Sequence, residues 1–157
     1  MKNLQRGFSL MEILIALVII GVLSALVVGN FGGEIERANY TKLKSDFQTF
    51  ETALTRYYND NGMYPTSEQG LEALVTKPQT SPEPRNYNRQ GYINKLLKDS
   101  WGNDYLYLSP AEYGDAEFEI ISLGADGQEG GRQQSTDIAN WNIEEMLEQM
   151  KEQENQS

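Results

Sequence analysis

The sequence predicts an α+β protein in which one long N-terminal helix packs on a small antiparallel sheet. An almost unbroken apolar run covers residues 13–28, and a period of three and four residues continues over 43–57; both indicate helix. Short segments with strand character follow at 105–109 and 117–122. Removing about 33 residues for the N-terminal apolar region leaves roughly 124, the size of one ordinary domain.

The apolar run is preceded by a lone carboxylate, Glu12, and by two basic residues, Lys2 and Arg6. Runs of this length predict a membrane helix or a signal peptide, and residues 24–26 are only a weak secretory cleavage site. The basic residues favour a cytoplasmic N-terminus. A carboxylate near the bilayer interior costs roughly 2.5 kcal/mol or more, so Glu12 is expected to have a partner. From the residues alone, a signal anchor with Glu12 at the headgroup boundary is the alternative.

Beyond the apolar run, apolar residues that step by four, three, four and three predict one face of an amphipathic helix. This stripe consists of Leu43, Phe47, Phe50, Leu54 and Tyr57. The helix is expected to end at 59–62, where Gly62 suits the left-handed cap position. The stripe is expected to pack on the protein's own sheet, with a contact between subunits as the alternative.

The middle of the chain predicts a short capped helix followed by a loop. Thr66 and Gln69 form a capping-box pattern, and Pro78 ends the short apolar segment that follows them. Residues 79–84 are rich in Pro and polar residues, which predicts a loop.

The C-terminal part predicts a half-buried strand, two anchoring tryptophans and a tail. Residues 117–120 alternate acidic and apolar side chains, which is typical of an antiparallel strand with one exposed face. Trp101 and Trp141 are interpreted as core anchors rather than ligand contacts. Residues 144–157 are acidic and Gln-rich, and they form either a frayed helix or a disordered tail. The dispensable tail is the favoured interpretation.

The composition excludes several classes of function. The chain has no Cys and no His, which removes disulfides, cysteine-based metal sites and Ser-His or Cys-His catalysis. The net charge of -10 is concentrated in residues 112–157, which argues against DNA or anionic lipid as a partner. Such an acidic segment is compatible with a cation site or a basic protein partner. No catalytic constellation is visible, so the sequence does not predict an enzyme.

The residues around the start of the apolar run resemble the processing site of type IV prepilins and pseudopilins, with the motif Gly7-Phe8-Ser9-Leu10-Met11-Glu12. The resemblance implies that a prepilin peptidase cuts after Gly7, so that residues 1–7 are a leader peptide and Phe8 is the N-methylated mature N-terminus. It also implies that Glu12 contacts the amino group of a neighbouring subunit's Phe8, since a buried carboxylate needs a positive partner. Residues 8–31 then form the transmembrane and filament-core helix.

Later landmarks resemble one family in particular, the major pseudopilins of the type II secretion system (general secretion pathway protein G). The matching residues are Tyr64-Pro65-Thr66, Glu68-Gln69-Gly70-Leu71, Asp99-x-Trp101-Gly102-Asn103, Ser122 to Gly127 and Asp137 to Trp141. The resemblance implies a type IV pilin-like fold whose long helix has a membrane-spanning half and an amphipathic half, with a small antiparallel sheet and a C-terminal calcium loop. Residues 32–142 would be the periplasmic globular domain, and 143–157 an acidic tail. Ser100 departs from the usual proline.

The same resemblance implies calcium as a cofactor in the C-terminal loop. The implied ligands are the side chains of Asp126 and Asp137 and the backbone carbonyl of Leu123. Further candidates are Gln128, Glu129, Thr136 and the backbone of Ser135. Calcium takes roughly six to eight oxygens, so two carboxylates need carbonyls and water in addition. From the residues alone, a hairpin turn at Asp126 and a cap at Asp137 are favoured instead.

The function implied by the resemblance is structural. The chain would be the major subunit of the type II secretion pseudopilus, a helical periplasmic filament that drives export of folded proteins through the outer membrane. A type IV pilin for adhesion, motility or DNA uptake is the alternative. The implied partners are other copies of the chain, prepilin peptidase, minor pseudopilins, the inner-membrane assembly platform with its ATPase, and the outer-membrane secretin, but no nucleic acid. The implied location is the inner membrane, with a cytoplasmic N-terminus and a periplasmic globular domain.

Overall fold

The computed structural model describes residues 9–28, 31–113 and 116–154. The chain falls into two compact units, Met1–Glu36 and Arg37–Ser157. The implied cleavage position Gly7 and the implied mature N-terminus Phe8 lie outside the described residues.

The first helix, α1, spans Leu10–Val28. It is capped by Ser9, whose Oγ and carbonyl oxygen accept hydrogen bonds from first-turn amides at 3.3 and 3.0 Å. Such a cap supplies acceptors for amides that have no partner within the helix. The large apolar side chains from Leu10 to Leu23 are 48–80% exposed. Within the described residues, no helix combines the length and the apolar character needed to cross a membrane, and the span expected over 8–31 stays a prediction.

The second helix, α2, spans Phe31–Asn61 and confirms the expected apolar stripe. The stripe residues are all 0–2% exposed, namely Leu43, Phe47, Phe50, Leu54 and Tyr57. Because side chains three and four residues apart share one face, this side of α2 forms the centre of the core. Gly62 follows the helix with a φ of 74°, and its amide donates to the Tyr58 carbonyl oxygen at 2.7 Å, as expected for a left-handed cap.

The segment after α2 is held by side chains that bond to the backbone. The expected capping box is confirmed, since the Gln69 amide donates to Thr66 Oγ1 and the Thr66 amide donates to Gln69 Oε1, both at 3.2 Å. A short 3-10 helix follows at Leu71–Leu74. Gln69 Nε2 also donates to the carbonyl oxygens of Thr80 and Pro82 at 3.0 and 3.1 Å. One amide side chain therefore fixes the start of the short helix and the loop after it.

Asp99 connects the next loop to the sheet. Its side chain is buried, and its Oδ1 accepts hydrogen bonds from the amides of Trp101 at 3.0 Å and Asn103 at 2.7 Å. Its Oδ2 accepts the Ser122 hydroxyl at 2.8 Å. These bonds satisfy a carboxylate that would otherwise be costly to bury. Trp101 packs half-buried against the core, which agrees with its interpretation as an anchor.

The described residues form one sheet of three antiparallel strands, β1 (Leu106–Leu108), β2 (Glu119–Ser122) and β3 (Ile138–Ala139). Tyr107 pairs with Ile120, and Ser122 pairs with Ile138. Paired residues face the same side of a sheet, so these four side chains share one face, and all of them are buried. We call this the inner face of the sheet.

The side chains of β2 alternate in direction as expected, but the expected exposure of the acidic side chains is wrong for Glu119. Glu119 pairs with Leu108 on the outer face of the sheet, yet it is 0% exposed. Trp141 contributes to this burial, since it donates its indole N–H to Glu119 Oε2 at 3.3 Å. The interpretation of Trp141 as a core anchor is also wrong, since its side chain is 56% exposed and binds the outer-face carboxylate instead of entering the core.

The C-terminal segment forms a helix, α3, over Ile143–Glu154, and not the dispensable tail that the sequence favoured. Ile143 is buried, and Met146, Leu147 and Met150 pack half-buried against the core. These positions fall on one helical face, so tertiary packing stabilises a helix that its polar sequence alone leaves marginal.

Tyr57→Phe should stabilise the globular unit. The Tyr57 hydroxyl is buried without a hydrogen-bond partner among the described residues, a state that costs about 1–3 kcal/mol. Burial also raises the pKa of Tyr57 from 10.0 to about 12. Because the unfolded state releases this proton first, stability that is full below about pH 10 is lost as the pH rises towards 12. In urea unfolding of residues 34–157, the variant should gain about 1 kcal/mol near neutral pH and show a shallower alkaline loss.

Tyr105→Phe is the matched control for this prediction. The Tyr105 hydroxyl donates to Asp46 Oδ2 at 2.7 Å, so its removal should lower the free energy of unfolding by about 1.5–3 kcal/mol. Equal effects of the two substitutions would contradict the assignment of Tyr57 as an unsatisfied group.

Candidate functional site

A cavity of about 280 Å³ lies on the outer face of the sheet. Leu106, Leu108 and Ile121 contribute the strand side of its lining. Residues 112–113, which precede β2, and the C-terminal loop 123–137 between β2 and β3 contribute the remainder. We call this space the loop cavity. The outer face of the sheet is thus partly covered by loops, and its three apolar residues are half-buried.

Glu119 holds one wall of the loop cavity. Its Oε1 accepts hydrogen bonds from the amides of Glu112 at 2.7 Å and Tyr113 at 3.3 Å, and both of these residues line the cavity. Together with the Trp141 indole, three donors satisfy a fully buried carboxylate, which offsets much of its cost of desolvation. Glu119 therefore joins the connection before β2 to the segment that follows β3.

The C-terminal loop closes on itself through backbone contacts. The Ala125 amide donates to the Gln134 carbonyl oxygen at 2.8 Å, and Asn103 Nδ2 donates to the Gly124 carbonyl oxygen at 2.8 Å. Gly124 has a φ of 64°, and a Cβ atom there would lie 2.7 Å from the Gln134 carbonyl oxygen. Both the conformation and the close approach require glycine. Gly124 therefore fixes the point at which the two arms of the loop meet.

Two of the implied ligands, Asp137 and Leu123, line the loop cavity. Asp137 Oδ2 accepts the Gly130 amide at 2.8 Å, whereas its Oδ1 is buried without a hydrogen-bond partner among the described residues. A buried carboxylate oxygen in this state is costly, and a bound cation is one way to satisfy it. Glu129, the alternative acidic ligand, and Glu112 line the same cavity.

The other implied ligands do not line the loop cavity. Asp126 is exposed, and its Oδ1 accepts the Gln128 amide at 3.2 Å, which is an Asx-turn arrangement. Ser135 ends a short 3-10 turn, and Thr136 follows it. The structure therefore groups only part of the implied ligand set.

The donor set of the cavity fits calcium in part. In the portion of the chain that the structure describes, no group of three or more His, Cys, Asp or Glu side chains is arranged to hold a metal ion. Calcium also coordinates backbone carbonyl oxygens and water, so a calcium site does not need three carboxylates. The buried Oδ1 of Asp137, which has no partner in the part of the chain that the structure describes, is the atom that such an ion would satisfy.

The assembly residue expected near the N-terminus, Glu12, lies in the first turn of α1 with an exposed side chain. A carboxylate there interacts favourably with the positive end of the helix. Glu12 also follows the cap residue Ser9 by three positions, which is capping-box spacing and an additional signal in the sequence. A local role in capping is therefore an alternative to the role between subunits that the resemblance implies for Glu12.

Glu112, Tyr113 and Glu119 belong to the site although the sequence did not indicate them. Nothing in the local pattern distinguishes Glu119, which is buried, from Glu117, which is exposed. The burial of Glu119 comes in part from Trp141, which lies 22 positions later.

Two family profiles match the chain. The profile described as "Type II secretion system (T2SS), protein G" matches residues 30–141, and the profile described as "Prokaryotic N-terminal methylation motif" matches residues 2–28. Helix α3 begins after the end of both matches.

Similar proteins cover nearly the whole chain. The Type II secretion system core protein G of Vibrio cholerae is 52% identical over 141 residues, which are 90% of this chain and 94% of that protein. Its namesake from Pseudomonas aeruginosa is 47% identical over 140 residues, 89% of this chain and 97% of that protein. The crystal structure of the major pseudopilin from the type 2 secretion system of enterohaemorrhagic Escherichia coli matches with a TM-score of 0.64 at 44% identity, covering 72% of this chain and 95% of that one.

Glu119→Ala should destabilise the globular unit by about 1–3 kcal/mol, because it empties a fully buried side-chain site and removes the shared acceptor of donors from Glu112, Tyr113 and Trp141. Urea unfolding of residues 34–157 measures this loss. Glu117→Ala, at the exposed neighbouring acid, is the control and should change stability by no more than about 0.5 kcal/mol. Similar values for the two variants would show that Glu119 does not hold the cavity wall.

Proposed function

Since this chain belongs to the family of type II secretion system protein G, we propose that it is the major structural subunit of a type II secretion pseudopilus. In this role the chain polymerises into a helical periplasmic filament that drives export of folded proteins through the outer membrane. The secretion profile extends over residues 30–141, which favours this function over that of a type IV pilin for adhesion, motility or DNA uptake. No step in this role requires the chain to catalyse a reaction.

The exposure of α1 is the observation that carries this proposal. Large apolar side chains from Leu10 to Leu23 are exposed around the helix, so no single face is reserved for packing within one chain. A helix that is apolar all round requires an apolar environment. Lipid provides that environment before assembly, and the same helices of neighbouring subunits provide it inside a filament.

Glu12 sets the stagger of these helices in the proposed filament. After cleavage behind Gly7, the N-methylated amino group of Phe8 in one subunit pairs with the Glu12 carboxylate of its neighbour. In a low dielectric, any other stagger would leave both charges unpaired. The methylation-motif match over residues 2–28 supports this processing by prepilin peptidase.

We propose the inner membrane as the location of the subunit before assembly. The N-terminus lies in the cytoplasm and the globular domain in the periplasm, an orientation that Lys2 and Arg6 support. The inner-membrane assembly platform and its ATPase extract the subunit, minor pseudopilins accompany it in the filament, and the secretin is the outer-membrane partner. The acidic surface of residues 112–157 makes nucleic acid an unfavourable partner.

Calcium is proposed as the cation of the loop cavity. The unpaired Oδ1 of Asp137 supports a carboxylate ligand there, and the carbonyl of Leu123 and the carboxylate of Glu129 are further donors from residues that line the cavity. Asp126, Gln128, Thr136 and the backbone of Ser135 are candidates to complete the set. Bound calcium would supply positive charge and coordination that hold both arms of the loop together, so that the globular domain presents a rigid surface to neighbouring subunits.

Glu12→Gln should reduce filament yield at least about tenfold while leaving membrane insertion intact, because glutamine keeps the capping-box pattern but removes the charge. Electron microscopy and sedimentation of sheared filaments measure assembly, and membrane fractionation measures insertion. Ser9→Ala is the matched control: it removes the hydroxyl that caps α1 but keeps the charge, so it should assemble. Normal filaments from Glu12→Gln would restrict Glu12 to helix capping.

Millimolar calcium should raise the Tm of residues 34–157 relative to excess chelator. A specific site stabilises by about 2.7 kcal/mol when calcium exceeds Kd a hundredfold. Asp137→Asn should abolish the shift, because the amide can still accept the Gly130 amide but carries no charge. Asp126→Asn keeps the Asx turn but removes the charge. If Asp126 is only a turn residue, this variant should show the full calcium shift in Tm. If Asp126 is a ligand, the shift should be smaller. An undiminished shift in Asp137→Asn would place calcium elsewhere.

A further inference from the structure

We infer that the acidic face of α3 in one subunit docks against a basic cleft in the next subunit. The inference rests on the proposed function, since the occupant of the cleft is a second copy of this chain. It deepens that function by naming a contact between globular domains. The inference is supported by two surfaces of opposite charge that lie at different places on one subunit.

The basic cleft has a volume of about 440 Å³, and its lining includes Lys77, Arg85 and Arg89, with Tyr87 between the two arginines. All three cations are exposed. Lys77 Nζ lies 3.7 Å from the carboxylate of Glu83, and neither arginine forms an ion pair within the described part of the chain. In a protein of net charge -10, three cations gathered around one cleft favour an acidic partner.

The arginines stand on a segment that is fixed to the C-terminal end of α2. Between them, the Asn86 amide donates to Asn61 Oδ1 at 3.0 Å, and Asn86 Nδ2 donates to the Asp60 carbonyl oxygen at 3.2 Å. Tyr87 packs edge-on against Tyr57, with ring centroids 6.2 Å apart. A backbone held in this way lowers the entropy that is lost when a partner binds.

Helix α3 presents the complementary charge. Its apolar face is used in the core, and Glu145, Glu148 and Glu152 follow one another by three and four residues on the opposite side. All three glutamates are exposed, and none forms an ion pair within the described residues. Glu145 accepts a hydrogen bond from Gln149 at 3.1 Å, and Lys151 is the one base in α3. We call the three glutamates the acidic stripe.

Within one subunit, the helix that carries the acidic stripe begins far from the basic cleft. Asn140 donates to Glu51 Oε1 at 2.9 Å, and Glu144 then pairs with Lys44 at 2.6 Å, so the chain moves towards the N-terminal side of α2 as α3 begins. The cleft lies near Tyr57, on the other side of Glu51 along α2. At roughly 1.5 Å per residue, about 20 Å of helix separate Lys44 from Tyr57. The stripe therefore meets a cleft only on another molecule.

A contact between two different surfaces can repeat from subunit to subunit, and it generates a helical filament when the rotation does not close into a ring. A single exposed ion pair contributes only about 0.2–1 kcal/mol, so the contact depends on several pairs acting together and weakens with salt. The protein G profile ends at residue 141, before α3 begins, so this contact uses a part of the chain outside that match.

Charge exchange in the full-length chain tests the contact. Arg85→Glu with Arg89→Glu reverses the cleft, and Glu145→Lys with Glu148→Lys reverses the stripe. Each double variant should lower the yield of sheared filaments at least about tenfold, because like charges then face each other. The variant that combines all four substitutions restores opposite charges and should return the yield close to that of the wild type. This rescue also shows that the variants fold.

Disulfide cross-linking gives a second measurement, because the chain contains no Cys. Gln90→Cys beside the cleft and Gln149→Cys beside the stripe, combined in one chain, leave every charge in place. Oxidation of these filaments should produce a ladder of cross-linked dimers, trimers and longer multimers. A chain with only one of the two cysteines should give no cross-linked species larger than a dimer. Gln90→Cys with Ala116→Cys, an exposed position before β2, is the matched control and should give no ladder.

The outcomes separate this inference from the function on which it rests. Wild-type filaments with no ladder, or a four-substitution variant that stays defective, overturn the docking and leave the pseudopilus subunit intact. A cross-link from Gln90→Cys to a different protein overturns docking between copies of the chain. No filament from the wild-type chain, expressed with its secretion apparatus, overturns the proposed function itself.

Discussion

Burial of one face of α2 is the interaction on which the rest of the globular unit depends. The sheet that covers this face has strands of four residues or fewer, and its apolar contribution comes mainly from Tyr107, Ile120 and Ile138. So small a sheet does not cover a stripe of about four helical turns, and a stable layer needs an apolar surface of comparable size. Loops and α3 therefore complete the core, and Ile143 contributes from beyond the last strand. This explains why a polar, Gln-rich segment is helical in this protein.

A core completed by loops contains many backbone groups that need partners, and buried carboxylates provide them. Asp99 accepts two amides and a hydroxyl, and Glu119 accepts two amides and an indole N–H. Each carboxylate joins a loop to an element that is distant in sequence. The Glu119 carboxylate is thereby satisfied, whereas Asp137, which also lines the loop cavity, has one buried oxygen with no hydrogen-bond partner among the described residues. This asymmetry is the physical reason for proposing a cation at Asp137.

The two compact units suit different environments. Helix α1 exposes apolar side chains and one carboxylate, whereas the globular unit buries its apolar residues and exposes acids on α3. The globular unit therefore has a core of its own, whereas in the proposed function α1 would be buried by lipid or by neighbouring subunits. In the proposed filament, Glu12 would define the stagger of the α1 helices, and charge pairing between cleft and stripe would add a contact between globular domains. A subunit that is held in a membrane and assembles when it is extracted needs both parts: a globular unit that folds in water and a helix that an apolar environment can bury.

Features that depend only on neighbours within one or two turns follow directly from the order of the amino acids. The stripe of α2, the cap at Gly62 and the capping box at Thr66 all follow from spacing, and the resemblance to a family extended them to the fold and to secretion. Tertiary packing accounts for the burial of Glu119, the exposure of Trp141 and the packing of α3 on the core. It also places Asp137 in one cavity with Leu123 and leaves Asp126 outside that cavity. Each of these outcomes depends on what covers a surface, and the covering residues come from distant parts of the chain, as Trp141 does for Glu119. A local pattern specifies which face of an element is apolar, but it carries no information about which segment folds over the other face.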